Sequence, residues 1–106
     1  MKKIETWGGR SNFSYLGSVT SGTRIVYGSG YYVDVSKQHY SALLKHFNGM
    51  RVPCGTSRTS PPVGSLGMWL QDHVTKTAIA SYVGAILIEE GYAQKEDKWI
   101  KFPYKM

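Results

Sequence analysis

The side chains that could do chemistry in this 106-residue chain are few: one cysteine, three histidines and a hydroxyl-rich loop built around an arginine. The loop is VPCGTSRTSPPVGS, Val52 to Ser65. Gly55 frees backbone N–H groups, Thr56, Ser57, Thr59 and Ser60 supply hydroxyls, and Arg58 supplies a planar fork of donors. The segment runs into a helix start expected at Ser65. These are the parts of an oxyanion or phosphate cradle, because a helix start offers unpaired N–H groups and the positive end of the dipole. They are equally the parts of an exposed linker, but a connection from Asn48 to Val63 is long enough to ask for a purpose.

Catalytic alternatives are thin. Cys54 lacks the local signature of a thiol enzyme, and three residues separate it from Arg58, fewer than in the phosphatase loop that the stretch faintly resembles. His39 and His46 stand seven apart on an expected helix, about 10 Å along its axis, too far to share a metal. His73 falls at a helix end, where a cation suits the dipole. Asp34 is the only acid between Glu5 and Asp72, so the clustered carboxylates of a metal-dependent nuclease are missing. The expectation is a non-enzymatic protein with no cofactor and no metal site. A small enzyme using Cys54 or a histidine stays open as a remote alternative.

Charge says more. Thirteen Lys and Arg face seven Asp and Glu, for a net charge of +6. Residues 1–58 hold Lys2, Lys3, Arg10, Arg24, Lys37, Lys45, Arg51 and Arg58 against only Glu5 and Asp34, whereas residues 59–106 hold five of each sign. The whole excess sits in the first half, and a polyanionic partner follows, nucleic acid first and DNA ahead of RNA. A lone cysteine permits no intrachain disulfide and fits a reducing, cytoplasmic setting. No apolar run approaches the ~20 residues of a membrane span, and MKKIETWGGRSNF has no apolar core of a signal peptide.

The elements that must position these groups come from period and capping. The length suits a single domain, 1–106. TWGGRSNFSYLGSV reads as turns and short strand pieces. TRIVYGSGYYVDV, Thr23 to Val35, reads as a hairpin about Gly28-Ser29-Gly30, with Tyr31, Val33 and Val35 on one face and Tyr32 and Asp34 on the other. Ser36 caps a helix to Phe47 whose apolar face is Tyr40, Leu43, Leu44 and Phe47. Ser65 caps a second helix to His73, burying Leu66, Trp69 and Leu70. Thr75 is expected to cap a third, to Glu90, with Ile79, Val83, Ile86 and Leu87 in the core. YAQ and KWIKF then flank KED as a closing hairpin. The fold class is α+β: an N-terminal hairpin region, three helices and a C-terminal hairpin.

The order of helix, short helix, longer helix and hairpin from Ser36 to Phe102 resembles a winged helix-turn-helix, over the C-terminal two-thirds of the chain. That resemblance implies DNA binding through the third helix. The outer positions of that helix, however, include Ala80, Ser81, Gly84 and Ala85, where a base-reading helix carries Arg, Lys, Asn or Gln. A small, uncharged face of this kind packs against another surface, within the chain or in a homodimer. Two readings result. In the first, the protein contacts nucleic-acid phosphates with Arg10, Arg24, Lys37, Lys45, Arg51 and Arg58, assisted by Thr56, Ser57 and exposed tyrosines. In the second it is a protein-interaction module, adaptor or inhibitor.

Overall fold

A computed structural model describes residues 1–105. The N-terminal third is one antiparallel meander, β1 (Lys2–Glu5), β2 (Asn12–Ser18), β3 (Gly22–Tyr27) and β4 (Tyr31–Val35), with strands adjacent in chain order. Phe13 and Tyr15 on β2, Thr23 and Ile25 on β3, and Val35 on β4 turn inward, while Leu16, Arg24, Tyr32 and Asp34 turn out. The expected hairpin over 23–35 is present, with the expected split of β4 residues between faces. Its partner is longer than expected: β2 is a seven-residue central strand and not a string of short pieces. Gly17 makes the β2–β3 corner possible. Its φ is +87°, and a Cβ there would fall on the Gly22 carbonyl oxygen.

The remainder runs α1 (Lys37–His46), β5 (Arg51–Pro53), α2 (Leu66–His73), α3 (Ala80–Glu89), β6 (Gln94–Glu96) and β7 (Trp99–Lys101). The three short strands form a second antiparallel sheet in the order β5-β7-β6. The protein is therefore mixed α+β, with seven strands in two sheets and three helices among the described residues. Ser36 caps α1 through the His39 N–H, and Ser65 caps α2 through the Met68 N–H, both as the sequence pattern requires.

Two expectations need correction. The third helix does not start at Thr75: α3 begins at Ala80, and its N-cap is Ile79, with no side-chain cap. Thr75 instead accepts the Thr77 N–H in a local hydroxyl turn, a competition with helix to which threonine is prone. The stretch 48–63 is not one loop, because Arg51–Pro53 pairs with Trp99–Lys101. A three-residue strand leaves too short a pattern to read without its partner.

Both sheets and all three helices share one core. Leu43, Phe47, Leu66, Trp69, Leu70, Ile79, Val83, Ile86 and Leu87 are buried as expected, with Leu44 at the edge. The meander is tied to the helices by polar links as well. Glu90 accepts from the Tyr15 hydroxyl at 2.8 Å and from the Val19 N–H at 2.9 Å. Thr23 and Tyr40 share a buried hydroxyl contact at 2.7 Å. Among the described residues, no helix is long and apolar enough to cross a membrane.

Candidate nucleic-acid interface

The meander brings one set of candidate residues together at one end. Because Glu5 pairs with Asn12 and Tyr27 with Tyr31, the β1–β2 turn (residues 6–11) and the β3–β4 turn (residues 28–30) project from the same end of the sheet. Arg10 sits in the first turn, exposed, with no ion pair among the described residues. Tyr31 follows the second and is 65% exposed. Its ring stacks on Tyr27 (centroids 5.9 Å), which stacks on Tyr82 of α3 (5.0 Å), which meets Phe13 edge-on (5.0 Å). Tyr31 is the outer rung of an aromatic ladder anchored in the core. Arg58 stands close enough for its charge to act on the Tyr82 phenol, although burial dominates and the Tyr82 pKa is raised on balance. Arg10 and a solvent-facing aromatic ring therefore share one end of the sheet, and the charge of Arg58 reaches the ladder at Tyr82.

The loop carrying Arg58 is held firmly. Its first residues are fixed by Cys54, whose N–H donates to the Lys98 carbonyl and whose carbonyl accepts the Gly67 N–H at 2.8 Å. Further along, the Gln71 side chain donates to the Arg58 carbonyl, and Pro61 is buried beside Gly67. Arg58 itself is exposed and, among the described residues, makes no ion pair. The helix-start cradle expected from this stretch does not form. The Gly67 and Met68 N–H groups of α2 are taken by Cys54 and Ser65, and the Ser57 hydroxyl is taken by the Ser60 N–H. Thr56 remains exposed, with its hydroxyl outside these bonds.

The small-residue face of α3 is filled from within the chain. The Trp7 N–H donates to the Ser81 carbonyl at 2.9 Å, and a Cβ built on Gly84 would lie 2.9 Å from Trp7 Cε3 and 3.1 Å from Cys54 Sγ. Ala80 is buried, its carbonyl facing the Cys54 thiol at 3.7 Å, and Ser81 and Ala85 are half-buried. The Lys95 ammonium closes the far side, 5.0 Å from the Trp7 ring centroid and hydrogen-bonded to the Trp7 carbonyl. The helix that the winged-helix comparison would send into a groove of DNA is covered by the N-terminal segment.

The other cations are distributed elsewhere. Arg24 makes a bidentate pair with Asp34 at 2.8 and 3.0 Å and lies over Tyr32 on the outer face of the meander. This pairing holds the Asp34 carboxyl below its usual range. Arg51 pairs with Glu96 at 2.7 Å and covers Trp99. Lys37 and Lys45 are exposed at the two ends of α1, whose start lies beside Gly22 at the opposite end of the meander. The six basic residues are spread over the molecule: Arg10 lies in the β1–β2 turn, Arg58 in the loop before α2, Lys37 and Lys45 at the two ends of α1, and Arg24 and Arg51 are paired with carboxylates.

Cys54 is 1% exposed, and burial pushes its thiol up to about 12. A thiolate nucleophile needs the opposite, a lowered pKa and access, and Cys54 has neither in this fold. Among the described residues no cluster of His, Cys, Asp and Glu is arranged to hold a metal ion. Tyr27 and Tyr82, the inner rungs of the ladder, carried no functional signal in the sequence, where Tyr82 reads as one more apolar position of a helix.

No protein-family profile matches this chain, and neither the curated proteins nor the solved structures contain a significant match to it.

Proposed function

We propose that the protein is a non-enzymatic binder of single-stranded nucleic acid that holds phosphates with Arg10 and Arg58 and stacks a base on Tyr31. The observation that carries this is the exposed end of the Tyr31–Tyr27–Tyr82 ladder, with Arg10 in the neighbouring turn at the same end of the sheet and the charge of Arg58 felt at Tyr82. A preordered ring with one free face is what a splayed base needs, and stacking of this kind is tolerant of sequence. The guanidinium groups add phosphate contacts that position without specifying. In a duplex the base faces are already stacked, so single strands are the target, DNA or RNA.

The chain order α1-β5-α2-α3-β6-β7 with sheet order β5-β7-β6 is compatible with a winged-helix-like arrangement of the C-terminal part. With α3 lying under Trp7, base reading by that helix is not part of the proposal. The reading keeps the cytoplasmic setting expected from the lone free cysteine.

Fluorescence anisotropy with labelled oligo(dT), oligo(U) and a duplex at two salt concentrations tests it. Arg58→Ala and Arg10→Ala should each weaken binding about equally across sequences and lower the salt slope by roughly one. Tyr31→Ala should cost about 1–3 kcal/mol of single-strand affinity with an unchanged salt slope, and Thr56→Val about 1 kcal/mol or less. No affinity for any of the three probes at low salt would end this reading.

A further inference from the structure

Toward the β2–β3 end of the meander, away from the turn that precedes Tyr31, α1 and the C-terminal segment line a groove of two adjoining hollows, about 290 and 460 Å³. Leu44 and Tyr92 line both and stand where the two meet. The floor of the groove is apolar, with Pro103 continuing it beyond Tyr92. Three lysines stand on its margin: Lys37 at the start of α1, Lys45 in the last turn, and Lys105 on the terminal segment.

The wall is a built feature and not a loose tail. The Asn48 side chain grips the backbone of Lys105 twice, donating to its carbonyl at 2.9 Å and accepting its N–H at 2.7 Å. The Gly49 N–H donates to the Pro103 carbonyl. Gly49 has φ +74°, and a Cβ there would press on the Tyr104 ring at 3.1 Å. The Asn-Gly pair that ends α1 therefore also fixes the segment that carries Lys105. The Lys105 ammonium then sits 5.6 Å from the Tyr92 ring centroid.

The charge at this groove is one-sided. Among the described residues no carboxylate lines either hollow, and α1 contains no Asp or Glu. Glu90, which reaches the Val19 N–H behind the groove, has both oxygens turned inward to Tyr15 and Val19. Among the described residues, none of the three lysines makes an ion pair.

We propose that this groove is a docking site for an acidic protein segment carrying an apolar anchor. The apolar floor calls for a side chain that buries carbon. The lysines call for carboxylates around it. Lys37 and Lys45 are eight residues apart, about 12 Å along the helix axis, a span that about four residues of extended peptide cover. A second copy of this chain is the poorer occupant, because a self-pairing groove would bring two lysine margins together. Nucleic acid matches the lysines but leaves the apolar floor unused. Oppositely charged margins around an apolar centre set both orientation and partner choice.

The test uses the whole protein and a fluorescein-labelled peptide of Asp and Glu around a central Leu-Phe pair. Two control peptides replace the Leu-Phe pair by Ser-Ser, or the acids by Lys. Binding is read by anisotropy, and the site by amide chemical shifts. The acidic peptide should bind with shifts centred on Leu44, Asn48 and Tyr92, and both controls should be weaker by about tenfold or more. Lys37→Glu with Lys45→Glu, both on exposed helix positions, should weaken the peptide by about tenfold or more while oligo(dT) affinity stays within about twofold. Arg58→Ala and Tyr31→Ala should leave peptide binding unchanged, so failure here is distinguishable from failure of the single-strand reading. The proposal is overturned if the acidic peptide shows no binding at low salt, if the Ser-Ser control binds as well, or if the lysine reversals abolish oligo(dT) binding and spare the peptide.

Discussion

The covering of α3 by Trp7 can be tested by a substitution whose sign depends on its neighbour. Gly84 lies in the middle of a helix, where alanine is favoured over glycine by about 0.8–1 kcal/mol. Its virtual Cβ meets a ring carbon of Trp7 at 2.9 Å and the Cys54 sulfur at 3.1 Å, both closer than a methyl group tolerates. Forcing a methyl into such a packed site costs about 1–3 kcal/mol. The net effect of Gly84→Ala is therefore a loss of about 0–2 kcal/mol, where an exposed helix position would show a gain. Trp7→Ala alone removes a ring that is 9% exposed and should cost about 3–5 kcal/mol. With the ring gone, the space beside Gly84 opens and the propensity gain returns. Gly84→Ala made on the Trp7→Ala background should then be neutral or stabilising by up to about 1 kcal/mol. The double-mutant cycle, from urea denaturation followed by circular dichroism at constant m-value, should give a coupling of about 1–3 kcal/mol. A coupling under about 0.5 kcal/mol, with Gly84→Ala stabilising in both backgrounds, would show that Trp7 does not seat on this helix and would return α3 to the surface.

Two further outcomes follow from the core. Leu87→Ala, at a fully buried position, should cost about 2–5 kcal/mol in the same denaturation series, and a loss under about 1 kcal/mol would contradict the packing of α3. Cys54 should resist a thiol reagent at pH 8 until the protein unfolds. It also makes the fold sensitive to alkali. The unfolded thiol ionises near 9 while the folded one keeps its proton to about 12, so from pH 9 to 12 the unfolded chain binds fewer protons and stability falls as pH rises. The Tyr40 phenol, pushed up to about 12 mainly by burial, adds to the fall above pH 10. Cys54→Ala should flatten the part of the decline that begins near pH 9, and urea midpoints at pH 7, 9 and 10.5 measure it.

The parts of the fold legible in the sequence were those decided over a few residues. Ser36 and Ser65 cap their helices by reaching an N–H three positions on. The spacing of Tyr40, Leu43 and Phe47 marks one helical face, and all three are buried. Gly28-Ser29-Gly30 between two β-branched and aromatic runs marks a hairpin. Where local signals competed, the sequence misled. Thr75 looks like a cap and is used instead in a hydroxyl turn, so α3 starts at Ala80. The loop around Arg58 has the composition of a phosphate cradle, yet the donors of α2 are consumed by Cys54 and Ser65, one of them from outside the helix.

The sequence by itself determined the α+β class, the start of two helices, most of the buried residues and the segregation of positive charge into residues 1–58. Only the tertiary structure decided which cations are free. Arg24 is neutralised across a strand pair by Asp34, and Arg51 by Glu96, 45 positions away. It also decided that the smooth face of α3 belongs to Trp7 and Cys54, that Arg10 shares an end of the sheet with the aromatic ladder, and that Lys37, Lys45 and Lys105 line two adjoining hollows. Capping, turns and helical period are written in neighbouring residues, because their energies arise within about four positions. A contact such as Trp7 on Gly84 or Lys105 on Asn48 joins segments that no spacing rule connects. It exists only because the whole chain buries one shared core, and that shared burial assigns each charge its neighbours.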